Sequence, residues 1–192
     1  RACATTGLIL AVQELGSLPI TLAGSGEQQA RWFPALASGE RLIAFALTEA
    51  EAGSDVAAAR TTARRDGDTY VVNGSKMFIT NAGHAPWMVC FASTDRSKGH
   101  KGLTALVIPM DTPGVTIEKH LDKMGQRSTD TSAVAFQDVV VPAANRLGEE
   151  GEGFKIAMRT LDFTRPGTAV GAVGVAQAAY ELSVEYTKER VQ

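Results

Sequence analysis

Only two cysteines, Cys3 and Cys90, occur among the 192 residues, and they lie far apart in the sequence. Each belongs to an apolar stretch, so the pair does not predict the disulfide framework of a small secreted domain. An excess of charge of one sign is also missing, because 19 basic and 21 acidic residues leave a net charge of −2. Bulk electrostatic attraction to nucleic acid or to an anionic membrane surface is therefore not expected.

Long hydrophobic runs and metal-ligand patterns are equally scarce. No uninterrupted apolar run reaches the roughly 18 residues of a membrane-spanning helix, so we expect no membrane span. The histidines, His84, His100 and His120, lack the spacing of metal ligands, so no metal site is expected. The sequence also contains neither a phosphate-binding P-loop nor a convincing Gly-rich dinucleotide fingerprint.

The hydrophobic pattern divides the chain into three parts. Residues 1–40 have a helical pattern and are expected to be the end of a helical domain. Residues 41–147 contain short β runs separated by Gly and Pro, which predict a central barrel or sandwich. Residues 148–192 return to helical periodicity and are expected to be the first helices of a C-terminal bundle. The sequence thus predicts an α+β protein.

Local signals predict some of these elements directly. Ser25 can cap a helix from Gly26 to about Ala37. Two of the β runs are expected over Trp87 to Ser93 and Leu103 to Pro109.

Other signals predict where elements break or begin. The helix over residues 2–22 is expected to break near Pro19, because proline removes a backbone donor and clashes with the preceding turn. An Asn-Gly pair at 73–74 predicts a hairpin turn inside residues 69–80. Pro166 predicts a new helix start, since proline is favoured in the first turn.

The most informative stretch is residues 46–58, Ala-Leu-Thr-Glu-Ala-Glu-Ala-Gly-Ser-Asp-Val-Ala-Ala. An apolar run over 42–47 leads into the hydroxyl of Thr48, and a small-residue turn with Gly53 and Ser54 follows. Such a turn bares backbone N–H groups beside short polar side chains, which can hold a phosphate-bearing ligand. By itself the stretch is also consistent with a plain polar turn after a strand.

Three later stretches agree with this one in order and spacing. They are Lys76-Met-Phe-Ile-Thr-Asn81, Phe136-Gln-Asp-Val-Val-Val-Pro142 and Leu161-Asp-Phe-Thr-Arg-Pro166. Taken singly, they also read as a hairpin arm, an exit strand and a helix cap with a surface ion pair. Together with residues 46–58, they make the chain resemble the acyl-CoA dehydrogenase family over nearly its whole length.

The resemblance implies a noncovalently bound FAD. The residues that it implies for FAD binding are Phe45, Leu47, Thr48, Gly53, Ser54, Phe78, Ile79, Thr80 and Arg190. A hydroxyl such as that of Thr48 would stabilise the electron density that a reduced flavin gains. Arg190 would contact the FAD diphosphate of a neighbouring subunit, which implies a homo-oligomer, either a dimer or a tetramer.

The resemblance also implies a site for an acyl-CoA substrate. The residues that it implies are Gly7, Ala11, Ser54, Asp162, Phe163, Thr164 and Arg165. Asp162 would accept a hydrogen bond from the pantetheine arm, and Arg165 would be a permanent cation near the catalytic carboxylate. Gly7 and Ala11 correspond to the far end of the acyl pocket and are small, so we expect medium or long straight chains.

The implied reaction is α,β-dehydrogenation of an acyl-CoA thioester to the trans-2-enoyl-CoA, as in fatty acid β-oxidation. FAD would accept the hydride, and an electron-transferring flavoprotein would reoxidise it. The implied catalytic Glu lies beyond Gln192, and neither Glu49 nor Glu51 occupies its position. We therefore expect the chain to be the middle of a longer polypeptide and to be inactive by itself.

Two other interpretations stay open from the sequence. The same scaffold could serve an acyl-CoA oxidase or a flavin monooxygenase, or a degenerate homologue that binds or assembles without catalysis. The Ala-rich composition, with more Arg than Lys, favours the bacterial cytosol, and a mitochondrial matrix is the alternative.

Overall fold

The computed structural model describes residues 3–192, so the predicted helix start at Ala2 lies outside the described residues. Its three α-helices and eight β-strands confirm the predicted α+β class. The helices are α1 (Ala4–Ala23), α2 (Gly26–Ala37) and α3 (Gly153–Glu189). The strands are β1 (Ile43–Ala46), β2 (Thr62–Asp66), β3 (Thr69–Thr80), β4 (Trp87–Ser93), β5 (Leu103–Pro109), β6 (Val115–His120), β7 (Thr131–Pro142) and β8 (Arg146–Leu147).

All eight strands belong to one sheet with the order β6-β7-β3-β2-β4-β5-β8. Strand β1 lies off this path and pairs in parallel with β4, with Ile43 opposite Trp87. The strands at the two ends of the order, β6 and β8, do not pair with each other. The sheet is therefore not closed into a barrel, which corrects that form of the prediction.

Strand β4 is buried on both faces and separates two hydrophobic clusters. Met88 and Cys90 point to one face and Val89 and Phe91 to the other, because successive side chains of a strand alternate. The second face packs against the helices. Its helical partners include Ile20, Trp32, Leu36, Ile156 and Ala157. The helices on either side of the β segment in sequence thus share one core in space.

Helix α1 continues through Pro19, which corrects the predicted break. Pro19 and Ile20 are buried, so the free energy of packing against the sheet outweighs the lost backbone hydrogen bond. By length and composition alone α1 could cross a membrane, although no span was expected from the apolar runs; a helix in a protein core satisfies the same criterion.

The start of α2 is capped as the sequence predicts. The Ser25 hydroxyl accepts a hydrogen bond from the Gln28 backbone N–H (3.2 Å), and the Gln28 side chain accepts one from the Ser25 N–H (2.8 Å). This reciprocal pair satisfies two donors that a helix start leaves free. The Gln28 amide also donates to the Ala144 and Arg146 carbonyls, so it holds α2 against the end of the β segment.

The Asn-Gly pair at 73–74 lies inside β3, so the predicted hairpin turn is wrong. The pairing of β3 with β7 shifts register between Val72 and Gly74, which makes the pair a bulge. The Asn73 side chain exchanges two hydrogen bonds with Asp138 of β7. At Gly74 a Cβ would come within 2.7 Å of the Thr61 Cα, so this close approach requires glycine.

Helix α3 is one 37-residue helix, and Pro166 lies inside it rather than at a helix start. The predicted division into shorter helices is therefore wrong. The first part of the helix is buried at Gly153, Ile156 and Thr160, so packing stabilises the turns that precede Pro166. From residue 166 onward most side chains are exposed. The proline falls where the helix leaves the core.

Candidate functional site

A cleft of about 440 Å³ lies where α1, the end of β1, the end of β3 and α3 meet. Its volume falls within the roughly 300–1,000 Å³ of small-molecule sites. The residues that line it come from all four elements and the turn after β1. They are Val12, Leu15, Phe45, Leu47, Thr48, Gly53, Ser54, Val56, Phe78, Ile79, Thr80, Met158, Leu161 and Arg165.

The first wall follows from the way β1 ends. Phe45 packs against Phe91 with ring centroids 5.1 Å apart, which fixes the strand on the helical face of the sheet. Beyond Thr48 the chain reverses, because the Glu49 N–H donates to the Ala52 carbonyl (3.0 Å) and the Ala52 N–H to the Glu49 carbonyl (3.2 Å). This reversal presents residues 53–54 beside Thr48.

The second wall is the end of β3. The Met77 N–H donates to the Thr48 carbonyl at 2.9 Å, which joins the two walls. The pairing of β3 with β7 shifts between Lys76 and Ile79, and Phe78 has a φ of 62°. A positive φ is unfavourable for an aromatic residue and marks a site where the surroundings dictate the backbone. The bulge leaves the Phe78 ring 62% exposed on the cleft.

The third wall is a stripe along α3. Met158, Leu161 and Arg165 lie at helical spacing and face the cleft together. The intervening residues do not line it. Asp162 pairs with the Arg165 guanidinium at 3.1 Å, and the Thr164 hydroxyl donates back to a carbonyl of its own helix.

The structure gathers most of the sequence-predicted site residues at this cleft. Those that line it are Phe45, Leu47, Thr48, Gly53, Ser54, Phe78, Ile79, Thr80 and Arg165. Those that do not are Gly7, Ala11, Asp162, Phe163, Thr164 and Arg190. Arg190 directly follows α3, about 37 Å along the helix axis from Arg165 at 1.5 Å per residue, and donates to the Tyr186 hydroxyl. It therefore cannot reach this cleft.

Several lining residues were not singled out from the sequence. Met158 and Leu161 could have been found, because they precede Arg165 by helical intervals. Val12 and Leu15 could not, since only the packing of α1 on the sheet brings them to the cleft. They lie close to the predicted Gly7 and Ala11 on the same helix, and a Cβ added at Gly7 would meet open space.

The cleft holds hydrogen-bonding groups without partners in the chain. Within residues 3–192, the hydroxyls of Thr48, Ser54 and Thr80 make no hydrogen bond to another residue. In the same range, the backbone N–H groups of Gly53 and Ser54 donate to no acceptor. Because these groups have no partner in the described chain, they are available to hydrogen-bond a ligand.

Arg165 gives the cleft its only charge among the described lining residues, and no carboxylate lines it. Glu49 lies behind the wall and is not free to act as a base. Burial by itself would raise its pKa, but the Lys76 ammonium and hydrogen bonds from Arg60 and Thr61 outweigh burial and lower the pKa below the usual value. Both carboxylate oxygens accept hydrogen bonds from these groups.

A smaller pocket of about 220 Å³ adjoins the cleft and shares Ser54, Val56 and Met158 with it. Its far side is formed by His100 and Phe154, whose ring centroids lie 5.1 Å apart. The two pockets therefore lie side by side along the turn after β1.

The family is shown by the sequence profiles that the chain matches. Residues 1–40, 44–139 and 151–192 match the N-terminal, middle and C-terminal domains of acyl-CoA dehydrogenase, in that order. The chain belongs to the acyl-CoA dehydrogenase family.

Individual relatives agree over almost all of the chain. The mitochondrial short-chain specific acyl-CoA dehydrogenase of Mus musculus is 47% identical over 191 residues, which are 99% of this chain and 46% of the relative. The structure of butyryl-CoA dehydrogenase from Megasphaera elsdenii superimposes with a TM-score of 0.96 at 47% identity, over 98% of this chain and 50% of that one. A chain in the structure described as the electron transferring flavoprotein of Acidaminococcus fermentans superimposes with a TM-score of 0.95 at 44% identity, over the same shares of the two chains. The chain spans about half the length of these relatives.

Proposed function

We propose that the protein is an FAD-dependent acyl-CoA dehydrogenase, which converts an acyl-CoA thioester to the trans-2-enoyl-CoA. One observation carries the proposal. In a chain of this family, a single cleft gathers the exposed ring of Phe78, the unpaired hydroxyls of Thr48 and Thr80, and the cation of Arg165.

The cleft suits the chemistry of FAD. Phe45, Leu47 and Phe78 offer apolar surface to a flat ring, while the hydroxyls offer donors to its polar edges. The unpaired N–H groups of residues 53–54 suit a diphosphate, because successive backbone donors in a turn form an anion-binding concavity. When bound, FAD would supply the hydride acceptor for the β-hydrogen.

The residues of the cleft orient the reactants and stabilise charge. Thr48 and Thr80 would donate hydrogen bonds where electron density rises during the reaction, and preorganised donors of this kind lower the barrier. Arg165 would stabilise negative charge at the thioester end. None of the described residues that line the cleft is a carboxylate, so we assign the removal of the α-proton to none of them.

We propose a short-chain acyl-CoA as the substrate. The preference for medium or long chains depended on Gly7 and Ala11, and these residues do not line the cleft. The bulkier Val12 and Leu15 line it instead. The mouse relative is named short-chain specific, and the Megasphaera relative is a butyryl-CoA dehydrogenase. The adjoining pocket, which begins at Ser54, would take the coenzyme A arm.

The test is anaerobic titration of the full-length, FAD-loaded protein with butyryl-CoA. We expect the flavin absorption band to bleach. A protein that binds FAD but does not bleach with any acyl-CoA would contradict the dehydrogenase proposal in favour of a non-catalytic homologue. Rapid recolouring in air would indicate an oxidase or a monooxygenase.

A pair of variants tests whether FAD occupies this cleft. Phe78→Ala removes an exposed ring from the wall, so FAD affinity should fall about three- to tenfold, the value of one aromatic contact. Val140→Ala is the matched control, because Val140 is also exposed but lies on β7, outside the cleft. Equal affinities for both variants would place FAD elsewhere.

We propose an electron-transferring flavoprotein as the electron acceptor. The similarity to a chain in the Acidaminococcus electron transferring flavoprotein structure supports this partner. Reduced protein should reoxidise faster when a purified electron-transferring flavoprotein is added under anaerobic conditions. An unchanged rate would argue against it.

We further propose a homo-oligomer in which Arg190 serves the FAD of a neighbouring subunit. The distance of Arg190 from the cleft supports an intermolecular role. Arg190→Gln should then weaken FAD binding in the oligomer. If sedimentation shows a monomer that binds FAD fully, the proposal fails.

Two further proposals concern organisation and compartment. Residues 1–40, 41–147 and 148–192 would belong to three successive domains, and limited proteolysis should cut first near the two boundaries. The family includes mitochondrial and bacterial members. The bacterial cytosol is our proposal for this protein, to be checked by fractionation of the host cell.

A further inference from the structure

Lys76 and Glu49 form an ion pair behind the wall of the cleft. The Lys76 Nζ lies 2.8 Å from the Glu49 Oε1, and the two side chains are 0% and 8% exposed. It is the only ion pair in residues 3–192 in which both side chains are buried. The pair lies deep enough in the sheet to act on Cys90, whose pKa rises to about 11 through burial while the two charges act on it in opposite directions.

The pair fixes the backbone of the first wall. The Lys76 Nζ also donates to the Leu47 carbonyl (3.1 Å), so one ammonium contacts the residues on both sides of Thr48. The Glu49 carboxylate in turn accepts from the backbone N–H groups of Arg60 (2.6 Å) and Thr61 (3.1 Å). Thr48 is thus held between two anchored neighbours.

The same pair fixes the start of the second wall. Lys76 is the last residue of β3 before the bulge, and the next residue, Met77, donates its N–H to the Thr48 carbonyl. Phe78 follows with its positive φ. The unfavourable backbone conformation of Phe78 turns its ring towards the cleft. This conformation follows directly after Lys76, and Lys76 cannot shift without breaking the buried ion pair.

Stability by itself is a weak reason for this arrangement. Taking two charges out of water is costly, and apolar side chains of similar volume are often at least as stable as a buried ion pair. What an ion pair adds is a single geometry, because both partners must keep their hydrogen bonds.

We propose that Lys76 and Glu49 are positioning residues, which set the spacing between Thr48 on one wall and Phe78 on the other so that a flavin ring fits between them. The inference rests on the proposed FAD site. Neither side chain lines the cleft, so both act through the backbone that they hold.

The experiment separates an effect on positioning from an effect on stability. It compares a variant that leaves one buried charge unpaired with a variant that removes both charges. Lys76→Met alone leaves a buried, unpaired carboxylate and should lower both the melting temperature and FAD affinity. The double variant Lys76→Met/Glu49→Gln removes both charges, so the melting temperature of the FAD-free protein should recover towards wild type. FAD affinity should stay about tenfold or more below wild type, because small misplacements of a site are costly.

The measurements are FAD binding by quenching of flavin fluorescence and visible circular dichroism of the bound flavin. Glu51→Gln is the matched control, because Glu51 makes an exposed ion pair with Arg60 in the same turn. Wild-type affinity in the double variant would overturn the proposal. If the double variant does not fold, the single variant Glu49→Gln is the test. Lower stability together with wild-type FAD affinity in that variant would also overturn the proposal. Failure of the wild-type protein to bind FAD would instead refute the proposed function.

Discussion

Gly16 of α1 lies directly against Ile43 of β1. A Cβ built on Gly16 would come within 2.6 Å of the Ile43 Cγ2 and 3.1 Å of its carbonyl oxygen. The helix backbone can approach the strand this closely only because the residue has no side chain. The contact lies two residues before Phe45, so it also supports the first wall of the cleft.

Gly16→Ala should therefore destabilise the protein. Alanine would gain about 1 kcal/mol of helix propensity, but forcing a methyl group into a filled contact costs about 1–3 kcal/mol. We expect a net loss of up to about 2 kcal/mol in the free energy of unfolding in urea.

Gly7→Ala on the same helix is the control for this prediction. A Cβ at Gly7 meets nothing within 4 Å, so only the propensity term remains and the variant should be more stable, by about 0.5–1 kcal/mol. Equal effects of the two substitutions would show that α1 does not lie on β1 at Gly16.

The acyl-chain preference should depend on Leu15. In the full-length protein, Leu15→Ala removes three carbons from the cleft wall, so it should raise kcat/KM for hexanoyl-CoA relative to butyryl-CoA. The two extra methylenes of hexanoyl-CoA should make the increase about tenfold or more, because a single methylene in a hydrophobic pocket is worth at least about tenfold. Leu10→Ala is the control, since Leu10 is 68% exposed on the same helix and does not line the cleft. An unchanged ratio in Leu15→Ala would show that the acyl chain lies elsewhere.

Asp130 should contribute to the loss of stability in acid. Burial alone would raise its pKa, but hydrogen bonds from the Gly83 N–H, His120 and Ser132 outweigh burial and lower the pKa below its usual value. The folded state therefore holds the carboxylate in its charged form. Its contribution is complete above the unfolded pKa of about 3.9 and is lost as the pH falls through the lower folded pKa.

Asp130→Asn tests this pH dependence. At about pH 6 the variant should be less stable than wild type by about 1–3 kcal/mol, because it loses a charged acceptor. As the pH falls from about 4 through the lower folded pKa, the two unfolding free energies should converge, since the wild-type carboxyl becomes protonated in the folded state as well. Asp66→Asn, at an exposed acid, is the control. A difference that stays constant with pH would contradict the assignment.

The two cysteines should differ sharply in reactivity. Cys3 is exposed, and hydrogen bonds from the Thr6 side chain and the nearby backbone lower its pKa. Cys90 is buried with a pKa of about 11, so at pH 8 only about one molecule in a thousand carries its thiolate. Since the thiolate is the reactive form, we expect one thiol to react quickly with a disulfide reagent in the native protein.

Denaturant should then release the second thiol, and Cys3→Ser should abolish the fast phase. Two fast thiols in the native protein would show that the core around β4 is open to solvent.

Much of the fold could be predicted from the sequence, because local signals and tertiary packing favour the same structure. Helix α2 begins after Ser25 as predicted, since a capping box satisfies its own donors without help from distant residues. Strands β4 and β5 have the predicted bounds, because continuous apolar runs flanked by turns have few alternatives.

The predictions were wrong where a residue that usually ends a helix or makes a turn lies inside a longer helix or strand. Pro19 and Pro166 do not end their helices, and the Asn-Gly pair at 73–74 does not make a turn. At Pro19 and at the Asn-Gly pair, the local cost of the breaker is outweighed by contacts with neighbours distant in the chain. For Pro19 these are the buried contacts of α1, and for Asn73 they are the hydrogen bonds to Asp138.

The sequence by itself determined the family, through the order of the signals at Thr48, Gly53-Ser54, Phe78-Thr80 and Arg165. Only the tertiary structure decided which of these groups share a cleft. It brought in Val12 and Leu15, left Asp162 and Phe163 outside, and revealed the buried Lys76–Glu49 pair. The reason is physical: residue type and spacing follow from the chain, whereas proximity depends on packing between segments that the chain keeps far apart.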